Sequence, residues 1–247
     1  MSSPQAKKIE KIAHRGYSAI APENTLAAFT AALEHQADSI EFDVQLSADR
    51  VPVIIHDYTL ERTSNGSGQV QEQTLAELRS LDIGSWFGSE FVNQKILTLP
   101  EALAALKDIP KHIYTEIKNA HLWNQQDIDN LVQIIQQPEW QSKCIVISFD
   151  DDFLQRVRDC SQEIAIGYLV AKPELYADKL SKAAANQAMI MSLYKLFLEN
   201  PELIATSRNH GVDIAVWTVD RPEDWHQLVA LGIERITTNT LIKDFTS

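Results

Sequence analysis

Residues 39–57, SIEFDVQLSADRVPVIIHD, place Glu41 and Asp43 two apart on one strand-like segment and His56 at the end of the next. Residues two apart on a strand share a face. Carboxylates are disfavoured in sheets and are seldom fully buried without partners. Other strand ends carry matching groups. His14 and Arg15 close KIAHRG, Tyr114, Glu116 and Lys118 share one alternating face of HIYTEIK, and Trp217 stands near the end of DIAVWTV. Three carboxylates gathered in one polar cup raise one another's pKa. A hard divalent cation removes that repulsion, and all-oxygen ligation favours Mg²⁺, Ca²⁺ or Mn²⁺. Arg15 and Lys118 then call for an anionic ligand, and phosphate suits both a guanidinium fork and a lysine point charge. Two histidines can serve as base and acid near neutral pH. The set describes metal-assisted cleavage of a phosphoryl ester.

The elements that must position these groups follow a rhythm of strand and helix. Strand-like runs fall at 11–16, 39–46, 51–57, 112–118, 144–149, 164–170, 188–194, 213–219 and 233–239. Most are short apolar runs without clean alternation, as in strands covered on both faces. Helices are expected between them. Asn24 is read as the N-cap of the first, with Glu23 or Asn24 also read as able to orient an active-site group; Thr74 with Glu77 and Thr98 with Glu101 form capping-box patterns, and further helices cover 126–137, 151–160, 173–184, 200–210 and 221–231. Only SADR separates the second and third strands, too little for a parallel crossover, so they form an antiparallel hairpin. Eight β/α units remain, which predicts a TIM (β/α)8 barrel with a β-hairpin extension of its second strand. With the turn centred on Ala48–Asp49, Asp43 lies across from Ile54 and Glu41 across from His56. The acids and the histidine then meet at the carboxyl-terminal mouth of the barrel, where such folds place their chemistry.

The chain has 247 residues, 45% apolar and 23% charged, with a net charge of −12. That charge argues against a nucleic-acid binder and against an electrostatic grip on anionic membranes. The terminus MSSPQAKKIEK has no apolar signal region, and no run reaches a membrane span. A cytoplasmic protein without a stable membrane anchor is expected. Cys144 and Cys160 lack metal-ligand spacing and are read as reduced packing residues. Trp86, Phe87 and Phe91 are read as folding onto the barrel rim. Trp217 is read as a wall against substrate, since an exposed indole offers stacking area.

The ordered set HRGYSAIAPENTLAAF, IEFDV, HDYTLERTSNGSG, EIK and VWTV resembles the glycerophosphodiester phosphodiesterase family, in particular its small cytosolic bacterial members, over nearly the whole chain. The resemblance implies a single barrel domain over 1–247, with a small insertion of about 57–111 before the third barrel strand. It implies catalytic histidines at His14 and His56, metal carboxylates at Glu41, Asp43 and Glu116, and phosphate contacts from Arg15 and Lys118. The reaction implied is metal-dependent hydrolysis of glycerophosphodiesters, such as glycerophosphocholine or glycerophosphoethanolamine, to sn-glycerol 3-phosphate and an alcohol. Water or a neighbouring glycerol hydroxyl is the nucleophile. The competing readings are lysophospholipase D-like cleavage and a non-catalytic phosphodiester-binding barrel. The chain departs from the family pattern at Gln36, at Arg50 in the hairpin turn, and at Asn239 and Thr240, where an Asp and a nearby Pro are common.

Overall fold

The computed structural model describes residues 9–241. Its strands are β1 (Glu10–His14), β2 (Ser39–Leu46), β3 (Pro52–Ile54), β4 (Ile113–Ile117), β5 (Cys144–Ser148), β6 (Ala165–Val170), β7 (Met189–Leu193), β8 (Ile214–Trp217) and β9 (Arg235–Thr238). Eight run parallel, in the order β1-β2-β4-β5-β6-β7-β8-β9, and β9 pairs back onto β1 to close a TIM barrel. The helices between strands are α1 (Leu26–Glu34), α2 (Leu75–Ser80), α3 (Leu99–Ala105), α4 (Gln125–Ile135), α5 (Asp151–Cys160), α6 (Tyr176–Ala185), α7 (Tyr194–Glu199), α8 (Glu202–Asn209) and α9 (Pro222–Ala230). None is long and apolar enough to cross a membrane.

Alternation in β2 shows how sequence becomes site. Ile40, Phe42, Val44 and Leu46 enter the main apolar cluster between barrel and helices. The residues between them, Glu41, Asp43 and Gln45, are therefore turned to the other side of the strand. The lumen is layered. Its middle is an apolar plug that includes Ile12, Ile145, Ile147, Leu169, Met189 and Met191. A second small apolar cluster, with Val53, Leu60, Val70, Leu78 and Ile96 among its members, organises the segment between β3 and α3. Gly84 is needed there, because a Cβ would lie 1.9 Å from the Phe91 carbonyl oxygen.

The hairpin differs from expectation by one residue. β3 pairs antiparallel with β2 so that Val44, not Asp43, faces Ile54. The cause is the turn. Arg50 N–H donates to the Ser47 carbonyl (3.0 Å), Ser47 N–H donates to the Val51 carbonyl (3.0 Å), and Arg50 takes φ +63°. This is a three-residue loop ending in a left-handed residue, which adds one residue to the turn. Arginine holds a conformation that favours glycine because its side chain is anchored. Nε donates to Asp127 Oδ1 (3.1 Å) and Nη2 to the Leu122 carbonyl (2.9 Å), tying the hairpin tip to α4. As a result His56 lies beyond the ladder, just after Ile55, whose N–H donates to the Asp43 carbonyl (3.1 Å).

Three further expectations are corrected or refined. Thr25, not Asn24, caps α1, its hydroxyl accepting from Ala28 N–H (3.2 Å). Asn24 takes φ +59°, outside any helix start, and turns to the mouth instead. Cys144 is buried at the start of β5, but Cys160 ends α5 exposed rather than packed. Trp86, Phe87 and Phe91 stack edge-to-face on one another, with centroids 5.6 and 5.5 Å apart. Both capping boxes form: Thr74 N–H donates to Glu77 (2.7 Å) and Thr98 N–H to Glu101 (2.9 Å).

Beneath the apolar plug, the buried Glu10 carboxylate accepts from Ser39 Oγ (2.6 Å) and the Tyr114 hydroxyl (3.0 Å) and faces His112 Nδ1 (2.9 Å) and Arg235 Nε (3.4 Å). Burial alone would raise its pKa, but these partners outweigh burial and bring it down from 4.5 to about 2. A carboxyl lowered on folding stabilises the fold above its unfolded pKa, and that stability is lost as pH falls through the folded value. Glu10→Gln is therefore expected to lower stability at pH 7 by about 3 kcal/mol, read as a urea midpoint, with the gap from wild type closing between about pH 4.5 and 2. Equal midpoints at pH 7 would mean that the partners only offset the cost of burial.

Candidate active site

Parallel pairing sets Asp43 of β2 opposite Glu116 of β4, and His14 of β1 opposite Glu41 of β2. Glu41, Asp43 and Glu116 each bring one oxygen within 4.8 Å of the others. Burial, then the charges of Asp43 and Glu116, push Glu41 well above the usual carboxylate range. Burial and Asp43 raise Glu116 to about 7, although Lys118 Nζ donates to its Oε1 (2.8 Å). Burial also works against ionised Asp43. There Arg15, Lys118 and His56 outweigh it, and the group stays below its ordinary value.

The loop from β1 to α1 supplies the cation. Gly16 (φ +83°) lets it turn, since a Cβ would lie 2.7 Å from Ala28. Arg15 N–H donates to Glu41 Oε2 (3.1 Å), its Nη1 to Glu23 Oε1 (2.8 Å), and its Nε lies 3.3 Å from Asp43 Oδ2. Asn24 folds back so that Nδ2 donates to the same Asp43 oxygen (2.8 Å). Arg62 then binds Glu23 through Nη1 and Nη2 (2.7 Å each) and Asp57 through Nε and Nη2 (2.5 and 2.9 Å).

The two histidines have different partners. His56 Nδ1 lies 2.6 Å from the Asp57 carboxylate. Its loop is gathered by Gln45, whose Nε2 lies 3.2, 3.1 and 2.6 Å from the carbonyls of Ile55, His56 and Asp57. Asn119 Nδ2 donates to Gln45 Oε1 (3.2 Å), which links that corner to the end of β4. His14 Nδ1 lies 2.7 Å from Asn239 Oδ1, and its Nε2 lies 3.9 Å from Glu41 Oε2. Burial and the neighbouring Arg15 charge lower His14 to about 4.

These groups surround a cleft of about 210 Å³ at the mouth. His14, Arg15, Glu41, His56, Glu116 and Lys118 line one side. The other is apolar, built from Phe149, Leu169, Met191 and Trp217 among others. Trp217 packs on the lumen plug, donates Nε1–H to the Met191 carbonyl (3.3 Å) and meets the half-exposed Phe149 edge-to-face at 6.1 Å. Among the described residues, six buried side-chain polar atoms have no hydrogen-bond partner; Arg15 Nε, Glu41 Oε1 and Thr237 Oγ1 belong to residues that line this cleft, and Asp43 Oδ1 belongs to the acid trio beside it. Buried polar atoms are normally paired, so a cluster of exceptions calls for a ligand. Glu41 Oε1 and Asp43 Oδ1, the latter 3.7 Å from Lys118 Nζ, stand beside a third acid and fit a hard divalent cation.

The eight residues singled out in the sequence thus converge on one place. Sequence reasoning singled out Glu23 or Asn24 as able to orient an active-site group, and both do touch one; it missed Gln45, Asp57, the contact of Asn239 with His14, and the link of Arg62 to Glu23 and Asp57. Gln45 carried a signal, since it continues the alternation of Glu41 and Asp43, and Asp57 is the neighbour of His56. Asn239 carried none; only barrel closure brings it to His14.

A family model described as the glycerophosphoryl diester phosphodiesterase family matches residues 14–243. A glycerophosphodiester phosphodiesterase of Caldanaerobacter subterraneus subsp. tengcongensis is 37% identical over 92% of this chain and 93% of its own. The crystal structure of an Oleispira antarctica phosphodiesterase in complex with the product sn-glycerol-3-phosphate superposes with TM-score 0.86 at 29% identity, over 93% of this chain and 92% of that one. A glycerophosphodiester phosphodiesterase of Agrobacterium tumefaciens gives TM-score 0.81 at 27% identity, over 94% and 97% of the two chains.

The acid trio makes cation binding measurable without turnover. Mg²⁺ or Ca²⁺ at 100 times its Kd should raise Tm by roughly 5–10 °C. Glu116→Gln keeps the shape and removes a charge; calorimetric titration should show weaker binding while the metal-free melting point stays nearly unchanged. Unaltered affinity would remove Glu116 from the ligand set.

Proposed function

The chain belongs to the glycerophosphoryl diester phosphodiesterase family, and from that premise we propose how its own residues divide the hydrolysis of glycerophosphodiesters to sn-glycerol 3-phosphate and an alcohol. The observation that carries the reading is the meeting of the acid trio Glu41, Asp43 and Glu116 with Arg15 and Lys118 at a mouth that both histidines line.

Glu41, Asp43 and Glu116 would hold one divalent cation, Mg²⁺ or Ca²⁺. Bound there, such a cation supplies Lewis acidity to the phosphate and a template for its orientation. Arg15 and Lys118 hold the remaining phosphate charge. The hydrogen-bond partners support one division of the proton roles. A carboxylate beside Nδ1 stabilises an imidazolium, and His56 has Asp57 there; His56 is the acid that protonates the departing alcohol. An amide oxygen beside Nδ1 suits a neutral ring, and His14 has Asn239; His14 is the base that takes the proton of the nucleophile. Trp217, with Phe149, walls the apolar side of the substrate. The small-molecule substrate of this reading is a glycerophosphodiester such as glycerophosphocholine or glycerophosphoethanolamine.

The decisive assay incubates the protein with glycerophosphocholine, glycerophosphoethanolamine or a lysophospholipid, with Mg²⁺, Ca²⁺ or chelator, and measures glycerol 3-phosphate. Release from the two water-soluble diesters, abolished by chelation and restored by cation, is expected. Full activity after exhaustive chelation would take the metal out of the reaction, and turnover of the lysophospholipid alone would favour headgroup cleavage of lipids.

The histidines are separated by leaving group. His14→Ala and His56→Ala should each lower kcat by about 10²–10⁴-fold on the natural diester. A nitrophenyl phosphodiester leaves without protonation, so His56→Ala should recover much of its rate on it and His14→Ala should not. Equal losses of both variants on both esters would defeat this division of labour.

A further inference from the structure

Asn239 is the residue on which His14 Nδ1 rests, and its own neighbours decide how it meets the ring. The side chain ends in one acceptor and one donor, and the neighbours decide which faces which. Asn239 Nδ2 donates to Asp220 Oδ2 (2.6 Å), and Asn239 N–H donates to Asp220 Oδ1 (2.8 Å). An ionised carboxylate accepts only, so the amide nitrogen must face Asp220 and the amide oxygen must face away. That oxygen receives the Ser18 hydroxyl (2.9 Å) and lies 2.7 Å from His14 Nδ1. An amide oxygen cannot donate, so His14 Nδ1 must carry a hydrogen. In the neutral ring the lone pair is then on Nε2, the nitrogen on the side of Glu41, 3.9 Å from its Oε2. Asp220 is itself steadied by Thr238 Oγ1 at 3.0 Å from Oδ1.

We propose that Asp220 and Asn239 are a positioning pair: Asp220 fixes the direction of the Asn239 amide, which locks His14 in its Nδ1–H tautomer and leaves Nε2 free toward the cleft. The inference rests on the reading of His14 as the base. It adds the reason why that ring presents a lone pair and not an N–H to the nucleophile. Which nitrogen of a histidine is bare is set by the hydrogen bond of the other. Here that bond is relayed through an amide from a carboxylate on the loop after β8, so the orienting charge does not touch the ring. The rival role is structural, because Ala19 N–H donates to the Asn239 carbonyl (3.1 Å) and the β1–α1 loop docks there.

The test reads the tautomer as well as the rate. Asp220→Asn is isosteric and frees the Asn239 amide to turn. Its kcat should fall about 10- to 100-fold, part of the contribution of a well-placed base, with KM little changed. Nitrogen-15 NMR of histidine-labelled protein should show one fixed form for His14 in the wild type, bare at Nε2, and mixed tautomers in the variant. The exchange Asp220→Asn with Asn239→Asp reverses the order of amide and acid and keeps the net charge; an acceptor again faces His14 Nδ1, so the variant should regain the fixed Nδ1–H tautomer. On a His14→Ala background, Asp220→Asn should cost nothing more. An Asp220→Asn variant with wild-type kcat and tautomer overturns the proposal. So does one that loses activity and melting temperature with the His14 tautomer unchanged, or an exchange variant whose His14 tautomer is no more fixed than in the single variant. A wild type that shows the fixed tautomer but no diester hydrolysis instead sinks the functional reading and leaves the relay standing.

Discussion

Three carboxylates on two neighbouring strands, withdrawn from water, are the constraint to which the rest of this mouth answers. Ionised acids a few ångströms apart repel strongly where the dielectric is low. β2 and β4 hold them there because their alternate residues, Ile40, Phe42 and Val44 on β2, are anchored in the main core. Arg15 and Lys118 offset part of the charge: Asp43 stays below its ordinary value, while burial and the neighbouring acids hold Glu41 and Glu116 above theirs. The remaining deficit is what a hard cation and its anionic ligand would fill.

A comparison within the barrel makes the point. Glu10 at the opposite end of the lumen is also a buried carboxylate, less deep than Glu41 and Asp43, and its pKa is lowered to about 2. It faces a hydroxyl, a phenol, an imidazole and a guanidinium. Glu41 has one backbone N–H on Oε2, nothing on Oε1 and two acidic neighbours. The satisfied layer stabilises, while the unsatisfied layer is poised for a ligand, and an apolar plug of Ile12, Ile147, Leu169 and Met191 lies between them. Such unmet polar groups are what natural folds tolerate at functional sites.

Loops at the mouth restrict the groups that the strands deliver. Glu23 is shared by Arg15 and Arg62, and Arg62 continues to Asp57 and so to His56. Gln45 binds the same corner from below. The orientation of His56 therefore depends on three separate segments, and that of His14 on two more, the loop after β8 and the end of β9. Reactive geometry held by several independent contacts is what allows proton transfer without reorganisation.

Local chemistry carried much of this in the sequence. The short SADR spacing required a hairpin, removal of that hairpin left eight β/α units, and the alternation of IEFDV put Glu41 and Asp43 on one face. Thr74 with Glu77 and Thr98 with Glu101 announced their helices through contacts three residues apart. What depended on long-range neighbours was not legible. The hairpin register shifted because Arg50 adopts a left-handed conformation that its pairing with Asp127, 77 residues away, makes tolerable. Thr25 displaced Asn24 as the cap because Asn24 is drawn to Asp43, across the first β/α unit. The partner of His14 lies 225 residues along the chain. Residue types and strand period determine which side chains reach the mouth, because those are properties of a few adjacent residues. Barrel closure decides which nitrogen, oxygen or charge each one meets, because only there do the two ends of the chain share a ladder.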